Sequence, residues 1–319
     1  MSERTTVLGG MATSAQGLGC MGMSAVYGAA DWDASTAAIR RALDLGVTLV
    51  DTAAAYGAGH NEVLVGRAVA GRRDGVQLAT KAGMDFSTGR GKVVIRNDPE
   101  YLKAACDASL LRLGTDVIDL YYLHRVDPEV PLADSVGALS ELVAEGKVRH
   151  IGLSEVTGEQ LRAAHAVHPV AAVQSEYSLW TRDPEHTVAA AARELGVGLV
   201  AYAPLGRGFL TGTVDADALA ADDGRRRLAR FTRDAALANR RIADTVEEIA
   251  DGVGATAAQV ALAWVAAQSG RLGVPVVPVP GTKRVRWVEQ NAGALDVELT
   301  PADLATLDGL AEQVVGARY

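Results

Sequence analysis

The chain has 319 residues, of which 49% are hydrophobic, with a formal net charge of -8 and two cysteines. That length supports one large domain or two small ones, and the acidic balance argues against a basic nucleic-acid or membrane-surface footprint while leaving room for a local cationic pocket. There is no uninterrupted apolar run long enough for a membrane span and no signal core after Met-Ser-Glu-Arg-Thr-Thr, while Cys20 and Cys106 fit a reducing compartment, so a cytoplasmic protein is expected.

A first short strand is expected at 17–20. Its glycines, with Gly22, match G-x-G-x-x-G letter for letter, but a dinucleotide fingerprint needs the last glycine to open a helix. Here the first helical pattern is 34–45, capped by Asp33 and closed by Gly46. The motif therefore reads as a close-turning strand and loop, where glycines let backbone approach a ligand. Strand 47–52, helix 60–70, strand 76–81, helix 98–113 and strand 117–124 follow. Helix 132–145, strand 148–153, helix 158–167, strand 172–176, helix 185–194 and strand 196–202 continue the alternation. An eighth strand is expected within 274–279, although Pro275, Pro278 and Pro280 weaken the pattern.

Two regions break the repeat. Residues 205–238 form a long connection with an arginine-rich centre at 225–230, and 239–251 and 256–268 both read as helices. A tail helix starts at Thr300, with Pro301 in its first position and Asp303 as an acidic partner. The whole predicts an α/β fold, a (β/α)8 TIM barrel with additional helices and a long loop after strand seven, over 1–319 as one domain. A doubly wound open sheet is the alternative.

Barrel enzymes keep their catalytic groups beyond the C-terminal ends of the strands. Asp51, Lys81 and His124 end strands two, three and four, and Tyr56 lies in the loop after strand two. A lysine beside a tyrosine favours the phenolate and lowers the tyrosine pKa, which makes the hydroxyl a better proton donor near neutral pH. Asp51 can pair with Lys81, and His124 can hydrogen-bond a substrate oxygen. No metal is expected: His60 with Glu62 lacks a third ligand, and His165 and His168 read as surface residues.

These residues sit within longer matching pieces: Gly19-Cys20-Met21-Gly22-Met23-Ser24, Asp51-Thr52-Ala53-x-x-Tyr56-Gly57, Asn61-Glu62, Ala79-Thr80-Lys81 and Asp119-Leu120-Tyr121-Tyr122-Leu123-His124. Gly146-Lys147-Val148-Arg149, Ile151-Gly152-Leu153-Ser154-Glu155, Tyr202-Ala203-Pro204-Leu205-Gly206-Arg207-Gly208 and Pro280-Gly281-Thr282-Lys283 complete the series. Over nearly its whole length the chain resembles an aldo-keto reductase, closer to the potassium-channel-beta, aryl-alcohol and pyridoxal reductase branches. The resemblance implies reduction of an aldehyde or ketone by hydride from NADPH. Tyr56 would be the general acid, Lys81 its pKa-lowering neighbour, Asp51 the partner of that lysine and His124 the carbonyl orienter.

The resemblance also implies a cofactor site. Ser154 and Gln174 would hold the nicotinamide carboxamide and Tyr202 would stack on the ring. Glu155 replaces a frequent asparagine and would accept from the carboxamide. Gly22 and Met23 lie in the first loop, and Pro204, Leu205, Gly206, Arg207 and Gly208 would meet the pyrophosphate. Gly281, Thr282, Lys283 and Arg284 would take a 2'-phosphate, favouring NADP(H), with Gln290 and Asn291 on the adenine and Trp287 stacking or packing there. A pocket wall of Met23, Tyr27, Trp32, Met84, Phe86 and Trp180 favours a hydrophobic or aromatic small-molecule carbonyl partner, and Arg125 is a candidate for an acidic substituent. The alternative function is a weakly catalytic, NADPH-binding regulatory or partner subunit resembling the channel beta subunits. Self-association stays open.

Overall fold

Eight short parallel strands carry the apolar runs of the sequence, each bonded to its neighbour in chain order. They are β1 (Gly17–Gly19), β2 (Leu49–Asp51), β3 (Gln77–Ala82), β4 (Ile118–Leu123), β5 (Val148–Ser154), β6 (Val170–Glu176), β7 (Gly198–Tyr202) and β8 (Val276–Pro278). The computed structural model describes residues 4–24, 27–85, 93–221 and 223–318; Phe86, expected in the pocket wall, lies outside them. The sheet closes into a barrel through a bridge between Gly19 and Gly281, with the Gly19 N–H donating to Pro280 O at 3.2 Å. A Cβ on Gly19 would lie 2.9 Å from Val279 O, so the glycine-rich motif serves this seam. The prolines of the eighth strand are accommodated for a related reason. Pro275 only accepts from Leu199, and the donor into β7 beyond Pro278 is Val279, so Pro278 owes that ladder no N–H.

The barrel interior is filled by Leu49, Ala79, Leu120, Tyr122, Ala172, Val200 and Val277. A hairpin of Thr5–Leu8 and Met11–Ser14 caps its bottom and adds Leu8 and Met11 to that cluster. The sequence reading missed this hairpin, although Gly9-Gly10 carries the left-handed backbone angles (φ 49° and 95°) that two-residue hairpin turns require. A second small hairpin, Met84–Asp85 with Val94–Ile95, was also missed.

Helices pack around the outside. They are α1 (Trp32–Asp44), α2 (His60–Val69), α3 (Pro99–Leu113), α4 (Leu132–Ala144), α5 (Gly158–Val167), α6 (Asp183–Thr187), α7 (Ala189–Leu195), α8 (Arg233–Val253), α9 (Ala257–Leu272), α10 (Val285–Ala292) and α11 (Pro301–Asp308). Three expectations need correction. The cap of α1 is Asp31, whose carboxylate accepts from the Ala34 N–H at 2.7 Å; Asp33 falls in the first turn, where an acid complements the helix dipole. The expected helix 185–194 is two helices broken at Val188. The long helix begins at Arg233, not 239, so the connection after β7 is shorter and is tightened by helical turns at Gly206–Thr211, Gly224–Arg227 and Ala229–Phe231. The tail helix starts as expected, with a reciprocal Thr300–Asp303 capping box, and is docked by Trp264, whose indole N–H donates to Asp308 at 3.0 Å. Among the described residues, no single helix is long and apolar enough to cross a membrane.

One glycine inside a helix is fixed by packing. A Cβ on Gly66 would lie 2.3 Å from Leu113 O, where α2 crosses the end of α3. Gly66→Ala is expected to lower stability by about 1–3 kcal/mol, the usual cost of overpacking. Urea unfolding measures this as a drop in midpoint with an unchanged slope.

Candidate active site

The C-terminal ends of β2, β3 and β4 bring three of the four expected groups together, and the loop after β2 adds the fourth. Lys81 is only 1% exposed and spends its three N–H groups on Asp51 Oδ1 (2.6 Å), Thr52 O (2.8 Å) and Tyr56 Oη (3.3 Å). The other Asp51 oxygen accepts from Gln174 Nε2 at 2.8 Å. The Tyr56 and His124 rings meet edge to face at 6.1 Å. The loop is itself anchored: buried Asn61 accepts from Thr52 Oγ1 at 2.6 Å and donates to Cys20 O and Ser24 Oγ. These bonds lock the segment from Asp51 to Asn61 against β1.

The electrostatics sharpen one expectation and correct another. For Lys81, burial pulls the pKa down, but Asp51 and Tyr56 more than offset it, so the ammonium is held in its charged form. The expected lowering of Tyr56 is outweighed: burial pushes the phenol above its ordinary value of 10.0, and Lys81 opposes this without cancelling it. Tyr56 is therefore a protonated phenol at neutral pH. His124 is held well below 6.5 by burial and by the charges of Lys81 and Arg125, so it is a neutral imidazole. Its Nδ1 is buried with no hydrogen-bond partner among the described residues.

This cluster opens into a cavity of about 970 Å³. Its lining includes Gly22, Ser154, Gln174, Tyr202, Pro204, Leu205, Arg207, Gly208, Gly281, Thr282, Lys283 and Arg284 from the expected cofactor set, together with Tyr27, Met84, Arg125 and Trp287. Five expected contacts lie away from it. Met23, in the helical turn of the first loop, is buried in the core at 2% exposure. Gly206 is buried beneath Trp180, and its added Cβ would lie 2.7 Å from that ring. Glu155 turns its carboxylate to the Glu176 N–H and Arg318. Gln290 donates to Thr256 Oγ1, and Asn291 is buried in the packed face of α10. Two expected wall residues also move out: Trp180 stacks on Phe209 at 4.9 Å, and Trp32 packs against His60.

The cations divide into engaged and free. Lys283 donates to the carbonyls of Tyr27, Gly28 and Ala29, bridging the first loop to the end of β8. Arg207 pairs with Glu176 at 2.9 Å. Arg225, within the 206–238 loop expected to fold over the cofactor but not singled out in the sequence, clasps Asp223, donates to Arg207 O and lies over the Tyr27 ring at 5.4 Å. Arg284 is exposed at the rim with no carboxylate partner among the described residues. Arg125 donates to His124 O at 2.6 Å and Ser154 Oγ at 3.0 Å.

A profile of the Aldo/keto reductase family matches residues 16–312. The chain belongs to the aldo/keto reductase family. The glycerol dehydrogenase AKR11B4 from Gluconobacter oxydans is a similar solved structure, 28% identical with a TM-score of 0.88, matched over 99% of this chain and 97% of that one. An aldo/keto reductase from Klebsiella pneumoniae, solved with NADP and acetate, is 30% identical over 98% and 96% of the two chains, with a TM-score of 0.73. The holo form of AKR11C1 from Bacillus halodurans is 25% identical over 99% and 98%, with a TM-score of 0.78. In this aldo-keto reductase, the buried Asp51–Lys81–Tyr56 chain lies beside a neutral histidine, and Asp51, Tyr56 and His124 line the cavity.

Proposed function

We propose that this aldo-keto reductase reduces an aldehyde or ketone to its alcohol with NADPH, as one barrel domain in a reducing compartment such as the cytoplasm. The observation that carries the reading is the buried Asp51–Lys81–Tyr56 chain opening, beside His124, into a large cation-rimmed cavity. The residues present fit the cofactor. Gly19 and Gly281, packed against each other at the barrel seam, put bare backbone on the cavity wall. The Ser154 hydroxyl, accepting from Arg125, keeps its own proton for a carboxamide oxygen. Tyr202 offers a ring face, the Leu205–Gly208 turn faces the pyrophosphate, and Thr282 with Arg284 suits a 2'-phosphate. Trp287 takes the adenine end that Gln290 and Asn291 leave. When bound, NADPH supplies the hydride that reduces the carbonyl carbon.

The chain's own residues manage the proton and the developing charge. Tyr56 gives its phenol proton to the carbonyl oxygen as that oxygen becomes basic. Lys81 stabilises the tyrosinate left behind, while Asp51, Thr52 O and Gln174 keep the lysine in place. His124 aims its Nε2–H at the same oxygen, a fixed donor where negative charge grows. Tyr27, Met84 and the prolines of the rim favour an apolar or aromatic carbonyl compound.

Oxidation of NADPH and of NADH, followed separately with aromatic and aliphatic aldehydes and ketones, tests the reading. Turnover is expected with NADPH and aromatic aldehydes; NADPH binding without turnover on any carbonyl would favour a regulatory subunit instead. Because Lys283 is already engaged, Arg284→Ala is expected to cost more of the NADPH preference than Lys283→Ala. Loss of a charge-assisted bond corresponds to an increase of about 10-fold or more in KM for NADPH, with KM for NADH unchanged.

The pH profile follows from the direction of the Tyr56 shift. A proton donor works below its pKa, and burial raises this one above 10.0. The free-enzyme profile of kcat/KM for reduction is therefore expected to stay level through neutral pH and fall only on the alkaline side of that value. Arg125 pulls the phenol down, so Arg125→Met should move the descending limb to still higher pH.

A further inference from the structure

The segment after α11 is tied back across the barrel. Arg241 donates to Gln313 O at 3.0 Å, and fully buried Asn239 exchanges two bonds with the main chain of Val315, donating to its carbonyl at 2.9 Å and accepting from its N–H at 2.8 Å. Gly316 then turns with φ 96°, a conformation open to glycine, and accepts from Arg230. This path delivers Arg318 to the ends of β5, β6 and β7. Its side chain is 16% exposed and donates to Glu155 Oε1 (2.5 Å), Tyr202 Oη (2.9 Å), Glu176 Oε2 (3.1 Å) and Asp183 Oδ2 (3.2 Å).

Two of those partners flank the nicotinamide end of the cavity. Tyr202 lines it, and Glu155 directly follows Ser154, which also lines it. Glu155 holds φ 55°, an unfavourable backbone angle for a residue with a side chain. That angle turns its carboxylate away from the cavity, to the Glu176 N–H and Arg318. Burying a carboxylate and a phenol hydroxyl is tolerable only with partners, and Arg318 provides one fork for both. A glutamate after Ser154 thus has a physical explanation in a residue 163 positions away in the chain.

We infer that Arg318 is a positioning residue of the cofactor site: it fixes the Tyr202 ring and holds the Glu155 carboxylate out of the space beside Ser154. The inference rests on the reading of that cavity as an NADPH site. Without Arg318, the Tyr202 hydroxyl loses that donor, and the Glu155 carboxylate keeps the Glu176 N–H but loses its ion pair, which lets it turn toward the cavity and add negative charge where the cofactor binds. Glu155→Gln removes that charge, so it is expected to relieve part of the defect.

Isothermal titration of the full chain with NADPH, for the parent, Arg318→Met, Arg318→Lys and the double variant Glu155→Gln/Arg318→Met, tests this without requiring turnover. The Met variant is expected to bind NADPH about 10-fold more weakly, as the Tyr202 ring and the Glu155 carboxylate leave the positions in which Arg318 holds them. The Lys variant should retain part of the affinity, and the double variant should bind more tightly than Arg318→Met alone. KM for NADPH should rise in parallel while KM for the carbonyl stays put, a split that mere loosening of the tail does not produce. If Arg318→Met does not fold, the Lys variant carries the test, with weaker NADPH binding at an unchanged melting temperature as the expected result. Parent-like affinity in every folded Arg318 variant overturns the inference and leaves the NADPH reading intact; a parent that binds no nicotinamide cofactor overturns both.

Discussion

Replacing Tyr56 with phenylalanine is expected to lower kcat for carbonyl reduction by about 10²–10⁴-fold, the range set by losing a positioned general acid. The ring stays, so its edge contact with His124 and its place under Lys81 are kept, and only the hydroxyl is lost. The affinity for NADPH should not move, because Tyr56 Oη bonds Lys81 and none of the rim cations. The loss should appear equally in kcat and kcat/KM, the signature of an interaction made only in the transition state. Steady-state kinetics on one aromatic aldehyde, with cofactor titration as the control, measures it. A modest drop with an altered cofactor affinity would point to a binding role for Tyr56.

Lys81→Met should be more damaging, because it fails on two counts. The side chain is buried and its three bonds hold Asp51, the Thr52 carbonyl and Tyr56 in one cluster. Removing the ammonium leaves Asp51, 4% exposed, with Gln174 as its remaining partner. Breaking a buried pair from one side costs about 3–5 kcal/mol, so the variant should unfold at clearly lower denaturant. Chemistry suffers separately. Lys81 pulls the Tyr56 pKa down against burial more than Arg125 does, so its loss pushes the phenol further up and makes it a poorer acid. Reduction by the folded variant should fall at least as far as for Tyr56→Phe. Asp51→Asn/Lys81→Met, which removes both charges, should recover much of the stability and none of the activity. That split separates the structural from the chemical contribution of the pair.

The fold was legible because polar residues punctuate apolar runs at strand ends. Asp51 after Leu49–Val50, Lys81 within Gln77–Ala82 and His124 after Ile118–Leu123 give both the strand count and the face on which the site lies. What could not be read was choice of partner. Gln174 was read only as a holder of the carboxamide, and its bond to Asp51 depends on β6 facing β2 across the barrel. Lys283 looked like an open phosphate ligand, yet the carbonyls of 27–29 come within reach only once the first loop folds over the end of β8. The lysine effect on Tyr56 had the right sign, but the opposing burial is a property of the packed site. Asp33 obeyed the rule for a cap as well as Asp31 does, and only the extended backbone at Asp31 decides between them. The Gly9-Gly10 turn, by contrast, was present in the sequence and simply not used.

The central claim is that a phenol proton from Tyr56 accompanies reduction of a carbonyl by NADPH in this cavity. Single-turnover oxidation of enzyme-bound NADPH, mixed with a saturating aromatic aldehyde, tests it most directly, because binding and product release are removed from the rate. A fast phase in the parent, slowed by about 10²–10⁴-fold in Tyr56→Phe at equal NADPH occupancy, is the predicted result. Equal rates in the two proteins, or no oxidation in the parent with cofactor bound, would contradict it.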